Sequence, residues 1–329
     1  MPLVSVLTPF HRADAYLLAA VRSVQAQTLA DFEHILVDHG TGMELAALGP
    51  TGADPRLRLI RQPAAATLAD CLNAGVAAAR GPFIALLDRD DLALPHRLER
   101  QVAALQAQPA FGLVAAVAAD IDGDGRVLGR RFTLLEPSAH RAFLRYAPPA
   151  TTSTYTGRRD LFAALPYRRE YDFAPDYDFY LRAAEVTGSF ALPEVLVHYR
   201  IHADQATQRH QGEQVLHACQ ARLNAARRRL GRAESTAEVA RLRALAPGGA
   251  PTLAATYGHF ARQALAEGIG DLAVYHARKL LSVDRGPGAI ATALGVATRA
   301  LGAQPRQAGF LLRLFGTGPL RTHGLRPAT

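Results

Sequence analysis

Tryptophan is absent from this sequence, cysteine occurs twice, and lysine only once, at Lys279. Cys71 and Cys219 form no CxxC pair and no even ladder. That excludes a disulfide scaffold or a structural zinc site and fits a reducing compartment. Long apolar runs are also missing: none approaches the roughly 20 residues that span a bilayer. The opening, MPLVSVLTPFHR, has neither a charged n-region nor a long apolar h-region. The expectation is a cytoplasmic protein, neither exported nor inserted in a membrane. With lysine so scarce, arginine is the default cation, so a run of arginines carries less meaning here than elsewhere.

What is present is globular composition, 49% hydrophobic and 20% charged, over 329 residues. That length suits two domains better than one core. The charge is uneven. From Ala206 onward there are 17 Arg and Lys against 6 Asp and Glu, a net +11, while the whole chain carries +8. Residues 1–205 are therefore slightly acidic, at −3. A basic C-terminal third suits a solvated helical face, or a surface for acidic lipid, an anionic glycan or a partner protein.

Residues 1–205 alternate between two periodicities. LVSVLTP (3–9), DFEHILVDHG (31–40), RLRLIRQP (56–63) and FIALLD (83–88) read as strands. Helical spacing fills 14–27, a second helix follows an N-cap at Thr67, and a third opens after Pro95. This is the βαβ pattern of a mostly parallel sheet flanked by helices. Two strands around a turn at Gly123 to Gly125, a strand and short helix over 151–166, a helix over 173–188 and a last strand over 189–202 complete the region. Strand signals then stop. Residues 211–230, 235–246, 252–267, 270–283, 287–302 and 305–315 read as amphipathic helices. The expected organisation is a catalytic α/β domain, 1–205, and an all-α extension, 206–329. On the first of these helices Leu216, Cys219, Leu223, Ala226 and Leu230 form one stripe, with Arg222, Arg228 and Arg229 off it. The expectation is a stripe packed on the first domain or on a second subunit.

The stretch FIALLDRDD (83–91) places Asp88, Asp90 and Asp91 within four positions at the end of a buried strand. Carboxylates that close raise one another's pKa unless a cation sits among them, and this grouping suits a hard divalent ion. Ligands of parallel sheets bind at the carboxyl ends of strands, where Thr8-Pro9 and Asp38 also lie. DIDGDG (120–125) opens like a calcium loop, but the twelfth position is Arg131 rather than a bidentate Glu. A tight hairpin turn is expected there.

The order VSVLTPFHR, SVQAQTLADFEHILVDHGT, LNAGVAAARGPFIALLDRDDLALPHRL, PDYDFYLR and LPEVLVHYRIH resembles glycosyltransferase family 2 over residues 3 to about 205. The resemblance implies the GT-A nucleotide-sugar-binding fold and inverting transfer from a nucleotide-diphosphate sugar, with Mn²⁺ or Mg²⁺ as cofactor. By position, Thr8, Pro9 and Phe10, with Arg12 beyond them, match the strand end lining the nucleoside pocket. Asp38 matches the acid that reads the base, typically uracil; His39 stands where a second acid often follows. Asp88 and Asp90 match the Asp-x-Asp motif, the first near the ribose and the last on the metal. Arg89 between them would lie against phosphate or point to solvent. Asp176 matches the general base, with Pro175 where the family has Glu, and Asp178 matches a structural position. His202 would bind metal or diphosphate, and Arg200, beyond His198, the phosphates. Arg158 and Arg159 match a basic pair near the acceptor. The implied partners are a nucleotide-sugar donor and a glycan, lipid-linked or protein acceptor in surface polysaccharide synthesis. Peripheral contact with the inner membrane face and a homodimer also fit; nucleic acid does not.

Two rivals share features of this reading. A sugar-1-phosphate nucleotidyltransferase has a similar sheet, but carries a Gly-rich basic loop where this chain reads TPFHRADAY. A degenerate, non-catalytic transferase with a partner-binding tail draws on His39 and Pro175.

Overall fold

The computed structural model describes residues 1–246 and 250–303. The chain divides into two compact units, the first ending at Gln205 and the second beginning at Ala206.

In the first unit the strands are β1 (Val4–Phe10), β2 (Phe32–His39), β3 (Leu57–Gln62), β4 (Phe83–Leu86), β5 (Leu92–Ala93), β6 (Phe111–Ile121), β7 (Val127–Arg130), β8 (Thr156–Arg158) and β9 (Gly188–Arg200). The helices are α1 (Ala15–Gln25), α2 (Leu68–Ala78), α3 (Arg97–Ala107), α4 (Pro137–Leu144), α5 (Arg159–Ala164) and α6 (Pro175–Val186). One nine-stranded sheet runs β3-β2-β1-β4-β8-β6-β9-β5, with β7 paired to β6. Its β3-β2-β1-β4 part is parallel, as the βαβ pattern requires. Beyond β4 the sheet is mixed: β8 is antiparallel to both β4 and β6, and β9 is parallel to β6.

Local chemistry sets the ends of these elements. Asp14 caps α1, its Oδ1 accepting from the amides of Tyr16 and Leu17. Thr67 and Asp70 form a reciprocal capping box on α2. Apolar faces of α1 and α3 close one side of the sheet, burying Val24, Leu98, Val102 and Leu105 against Val4, Val6, Phe83 and Ala85. The DIDGDG segment is a hairpin turn. Asp122 Oδ1 accepts from the amides of Asp124 and Arg126, Gly125 takes φ +88, and Asp120 pairs with Arg131 at 2.7 Å.

The second unit comprises α7 (Ala206–Arg209), α8 (Gln211–Arg229), α9 (Ala237–Ala244), α10 (Leu253–Ala266), α11 (Gly270–Val283) and α12 (Pro287–Ala303). The helix expected over 305–315 lies outside the described residues. Leu216, Cys219, Leu223 and Ala226 of α8 pack against Phe260, Ala264, Leu272 and Val296 within the same unit. These four residues are thus covered by neighbours in their own unit. Leu230 is 53% exposed and does not belong to the stripe, because α8 ends at Arg229. Arg222 is buried rather than displayed.

Candidate active site

Strand order explains how the landmarks meet. β4 ends at Leu86, and the chain turns tightly through Asp88 to Asp91, the Asp91 amide donating to the Asp88 carbonyl at 3.2 Å. The two residues of β5 then pair antiparallel with β9, Leu92 opposite His198. That pairing lays the end of the last strand over the acidic turn. Arg200 donates from its amide to Asp91 Oδ1 and from Nε to the Asp90 carbonyl. Two residues on, His202 Nε2 stands 2.8 Å from Asp90 Oδ2, with its ring tilted against Tyr16.

The second carboxylate group arrives on α6. Pro175 occupies the first helical position, where its missing amide costs nothing. Asp176 follows; its Oδ2 accepts from Thr152 Oγ1 at 2.5 Å and its Oδ1 from the Tyr177 amide at 2.8 Å. Thr152 belongs to a 3-10 turn, Thr152–Thr154. The next residue, Ser153, is fully buried and accepts the Asp88 amide on its hydroxyl at 3.0 Å. Residues 88, 90, 152, 176 and 202 therefore converge at the carboxyl end of β4.

Burial dominates the electrostatics here. Asp88 is pushed up to about 7, first by burial and then by the charge of Asp90, with Asp176 adding to it. Asp91 is raised well above the carboxylate range by burial, then by Asp88 and Asp90. Asp176 is raised by burial, opposed by the Thr152 hydroxyl and two amides. On α3, Arg97 is fully buried and donates to the Leu86 and Tyr155 carbonyls, while Gln101 donates to the Thr154 carbonyl. This pair ties the strand carrying Asp88 to the turn carrying Thr152.

This donor set fits a divalent cation. Among the described residues no three His, Cys, Asp or Glu side chains group as a complete cage. Mg²⁺ and Mn²⁺ need only one or two protein ligands when phosphate and water fill the rest. Asp90 and His202, 2.8 Å apart, are such a pair, beside Asp88 and Asp91, which are raised first by burial and then by neighbouring carboxylates.

Several sequence assignments are corrected by the contacts. Arg89 is buried and its Nη1 pairs with Asp14 at 2.6 Å, so it lies neither on phosphate nor in solvent. Arg200 donates from Nε to the Asp90 carbonyl and from Nη1 to the Asp122 and Gly123 carbonyls, and so clamps the turn. Arg158 lies opposite Phe83, at the start of β4, because β8 runs antiparallel. It donates to the Phe111 and Leu105 carbonyls, and Arg159 follows it at that far edge, away from an acceptor. Phe10 packs into the core with Leu17, Leu36 and Met43. Thr8 is fully buried, its hydroxyl 3.0 Å from His34 Nε2, which leaves Pro9 as the more open residue of that strand end. Asp38 is turned into its own loop, accepting from the Thr41 amide and hydroxyl and the Gly42 amide. Gly40, at φ +75 and with no room for a Cβ beside Ala64, permits that loop. Arg12 reaches Asp204 at 3.1 Å, joining the segments after β1 and β9.

Asp178 is structural, as its position implies: fully buried and paired with Arg168 and Arg182 at 2.5 and 2.9 Å. Thr152, Ser153 and Arg97 were missed. Only the polar run Thr151 to Thr154, set in front of the buried Tyr155, hints at the first two.

Comparison with known proteins agrees with this geometry. Residues 5–165 match the family model "Glycosyl transferase family 2". O-antigen biosynthesis protein RfbC of Myxococcus xanthus is 31% identical over 204 residues, covering 60% of this chain and 16% of that protein. Amylovoran biosynthesis glycosyltransferase AmsE of Erwinia amylovora is 27% identical over 192 residues, 57% of this chain and 72% of that one. The chain thus spans a small part of the first relative and most of the second. Among solved structures, S. aureus TarS 1–349 in complex with UDP-GlcNAc superposes with a TM-score of 0.56 at 14% identity, over 93% of this chain and 92% of that one. At that identity the likeness speaks for the fold, which is GT-A. The ordered landmarks, the fold and the family model over residues 5–165 agree in their likeness to glycosyltransferase family 2.

Proposed function

We propose that the protein transfers a sugar from a nucleotide-diphosphate donor, a UDP-sugar, to an acceptor hydroxyl with inversion at the anomeric carbon. The observation that carries this reading is the convergence of Asp176 with the Asp88–Asp90 turn and His202, which lie far apart in sequence. Asp176 accepts the proton of the acceptor hydroxyl as that oxygen attacks. Burial raises its value, which makes it a stronger base than an ordinary carboxylate. Asp90 and His202 would hold a divalent cation, which would supply charge neutralisation for the diphosphate leaving group. Arg200 and Arg97 hold the turn and its neighbouring strand in place. The names of the relatives from Myxococcus and Erwinia support a place in surface polysaccharide synthesis. The proposal adds a glycan or lipid-linked acceptor and peripheral, charge-driven contact with the inner membrane face.

The test is turnover of a panel of nucleotide sugars, UDP-GlcNAc included, with and without chelator. Turnover should require Mn²⁺ or Mg²⁺, and Asp90→Ala should abolish metal-dependent UDP binding. Asp176→Asn should lower transfer about 10²–10⁴-fold with UDP affinity nearly unchanged. Full activity in chelator, or in Asp176→Asn, would overturn the corresponding assignment.

A further inference from the structure

The turn Thr152–Thr154 touches both halves of the site with adjacent side chains. Thr152 donates to Asp176 at 2.5 Å, and Ser153 accepts the Asp88 amide at 3.0 Å. The turn is built to stay rigid. Ser153 and Thr154 are fully buried, Thr154 Oγ1 donates back to the Thr151 carbonyl, and the Thr154 carbonyl accepts from Gln101 at 2.6 Å. Tyr155 directly after it stacks on Tyr180, which lies on α6 between one and two turns beyond the proline that starts the helix. The same peptide thus grips the helix bearing Asp176 and the turn bearing Asp88.

We infer that the Thr152–Ser153 pair is a positioning element which fixes the proton-accepting carboxylate and the donor-binding turn in register. Thr152 orients Asp176 and Ser153 holds the Asp88 turn. Neither touches reacting atoms in this assignment, and it rests on the reading of Asp176 as base. A hydroxyl donating to a carboxylate fixes its orientation and favours the ionised form. The charged and titratable groups whose fields reach Asp176 are Asp88 across the site and Tyr155, Tyr167 and Tyr180 around α6. None of them donates a cationic charge, so the Thr152 hydroxyl is the side chain that holds the carboxyl down.

Thr152→Val keeps the shape and deletes the donor. A hydrogen bond to a charged group stabilises it by about 1.5–3 kcal/mol, so Asp176 should titrate about 1–2 pH units higher. The readout is carbon-13 carboxyl NMR of aspartate-labelled, full-length protein, with the resonance assigned by its loss in Asp176→Asn. Thr152→Ser should restore the wild-type titration. Ser153→Ala should leave that titration in place and weaken UDP binding in Mn²⁺, measured by calorimetry, by roughly tenfold, as an unpaired buried amide costs about 1–3 kcal/mol. A folded Thr152→Val with unchanged Asp176 titration overturns the inference. So does an equal response of both readouts to both variants, since that describes general loosening rather than two separate grips. Failure of the underlying reading has a different signature: full sugar transfer by Asp176→Asn, whatever the NMR titration shows.

Discussion

Asp176 and Asp178 sit two positions apart on one helix and have opposite physical fates. Asp178 is the shared counter-charge of Arg168 and Arg182 in a fully buried site. Removing one member of such a group costs about 3–5 kcal/mol. Asp178→Ala should therefore lower the melting temperature strongly and reduce activity only in proportion to folded protein. Among the described residues Asp176 has no cationic partner, and burial works against its charge. Asp176→Asn should keep or raise the melting temperature while abolishing most transfer, the usual trade between stability and function at a catalytic carboxylate. Calorimetric scans of the two variants beside transfer assays separate these outcomes; matched losses of stability would show the assignments are confused. The structural place of Asp178 was legible in the sequence, from its register in the ordered landmarks. The arginine assignments were not. Arg89, Arg158 and Arg200 all found carboxylate or carbonyl partners inside the fold, and in a chain with a single lysine nothing local marks which arginine is left for a ligand.

Among the elements, those with a full period of apolar residues were readable and the short ones were not. The first four strands and α1 to α3 stand where alternation and caps put them. β5 has two residues, too few for any pattern, yet its pairing with β9 brings His202 to Asp90. The direction of β8 is equally silent in sequence, and it decides that Arg158 points to the wrong edge. α4, Pro137–Leu144, falls in a segment to which the sequence pattern assigns no element. Two predictions belong to this scale. In α8, Leu223 is fully buried and Leu230 mostly exposed. Leu223→Ala should cost about 2–5 kcal/mol, and Leu230→Ala no more than about 0.5 kcal/mol, by denaturant unfolding. In β2, His34 is buried against Thr8 and burial lowers it from 6.5 to about 3. A group with a depressed folded value binds protons more readily when unfolded. Its stabilising contribution is present above about 6.5 and is lost as pH falls from there toward 3. His34→Gln keeps a polar partner for Thr8 and cannot titrate, so its stability should fall less on acidification over that window. Parallel pH profiles for variant and wild type would contradict a neutral, buried His34.

Across the whole molecule the two units differ in charge, −3 for residues 1–205 and +11 for the remainder. The second unit has six acidic residues. Glu238 and Glu267 are taken by Arg227, Glu234 by Arg228, and Glu213 by Arg243. Most of its 17 basic residues therefore outnumber any internal counter-charge. The apolar stripe of α8 is already covered within this unit. Among the described residues no helix is long and apolar enough to cross a membrane, and α8 offers no aromatic wedge for insertion into lipid. What remains for membrane contact is attraction between guanidinium groups and anionic headgroups. Such attraction has a specific signature: the screening length falls from about 10 Å at 0.1 M salt to about 3 Å at 1 M. Cosedimentation with phosphatidylglycerol vesicles should be strong at low salt and fall more than tenfold by 1 M, with neutral phosphatidylcholine vesicles giving none at either. Binding that survives 1 M salt would require a buried apolar contact that the covered stripe does not provide. Absence of binding at low salt, with a dimer found by sedimentation in the same buffer, would instead assign the positive surface to assembly.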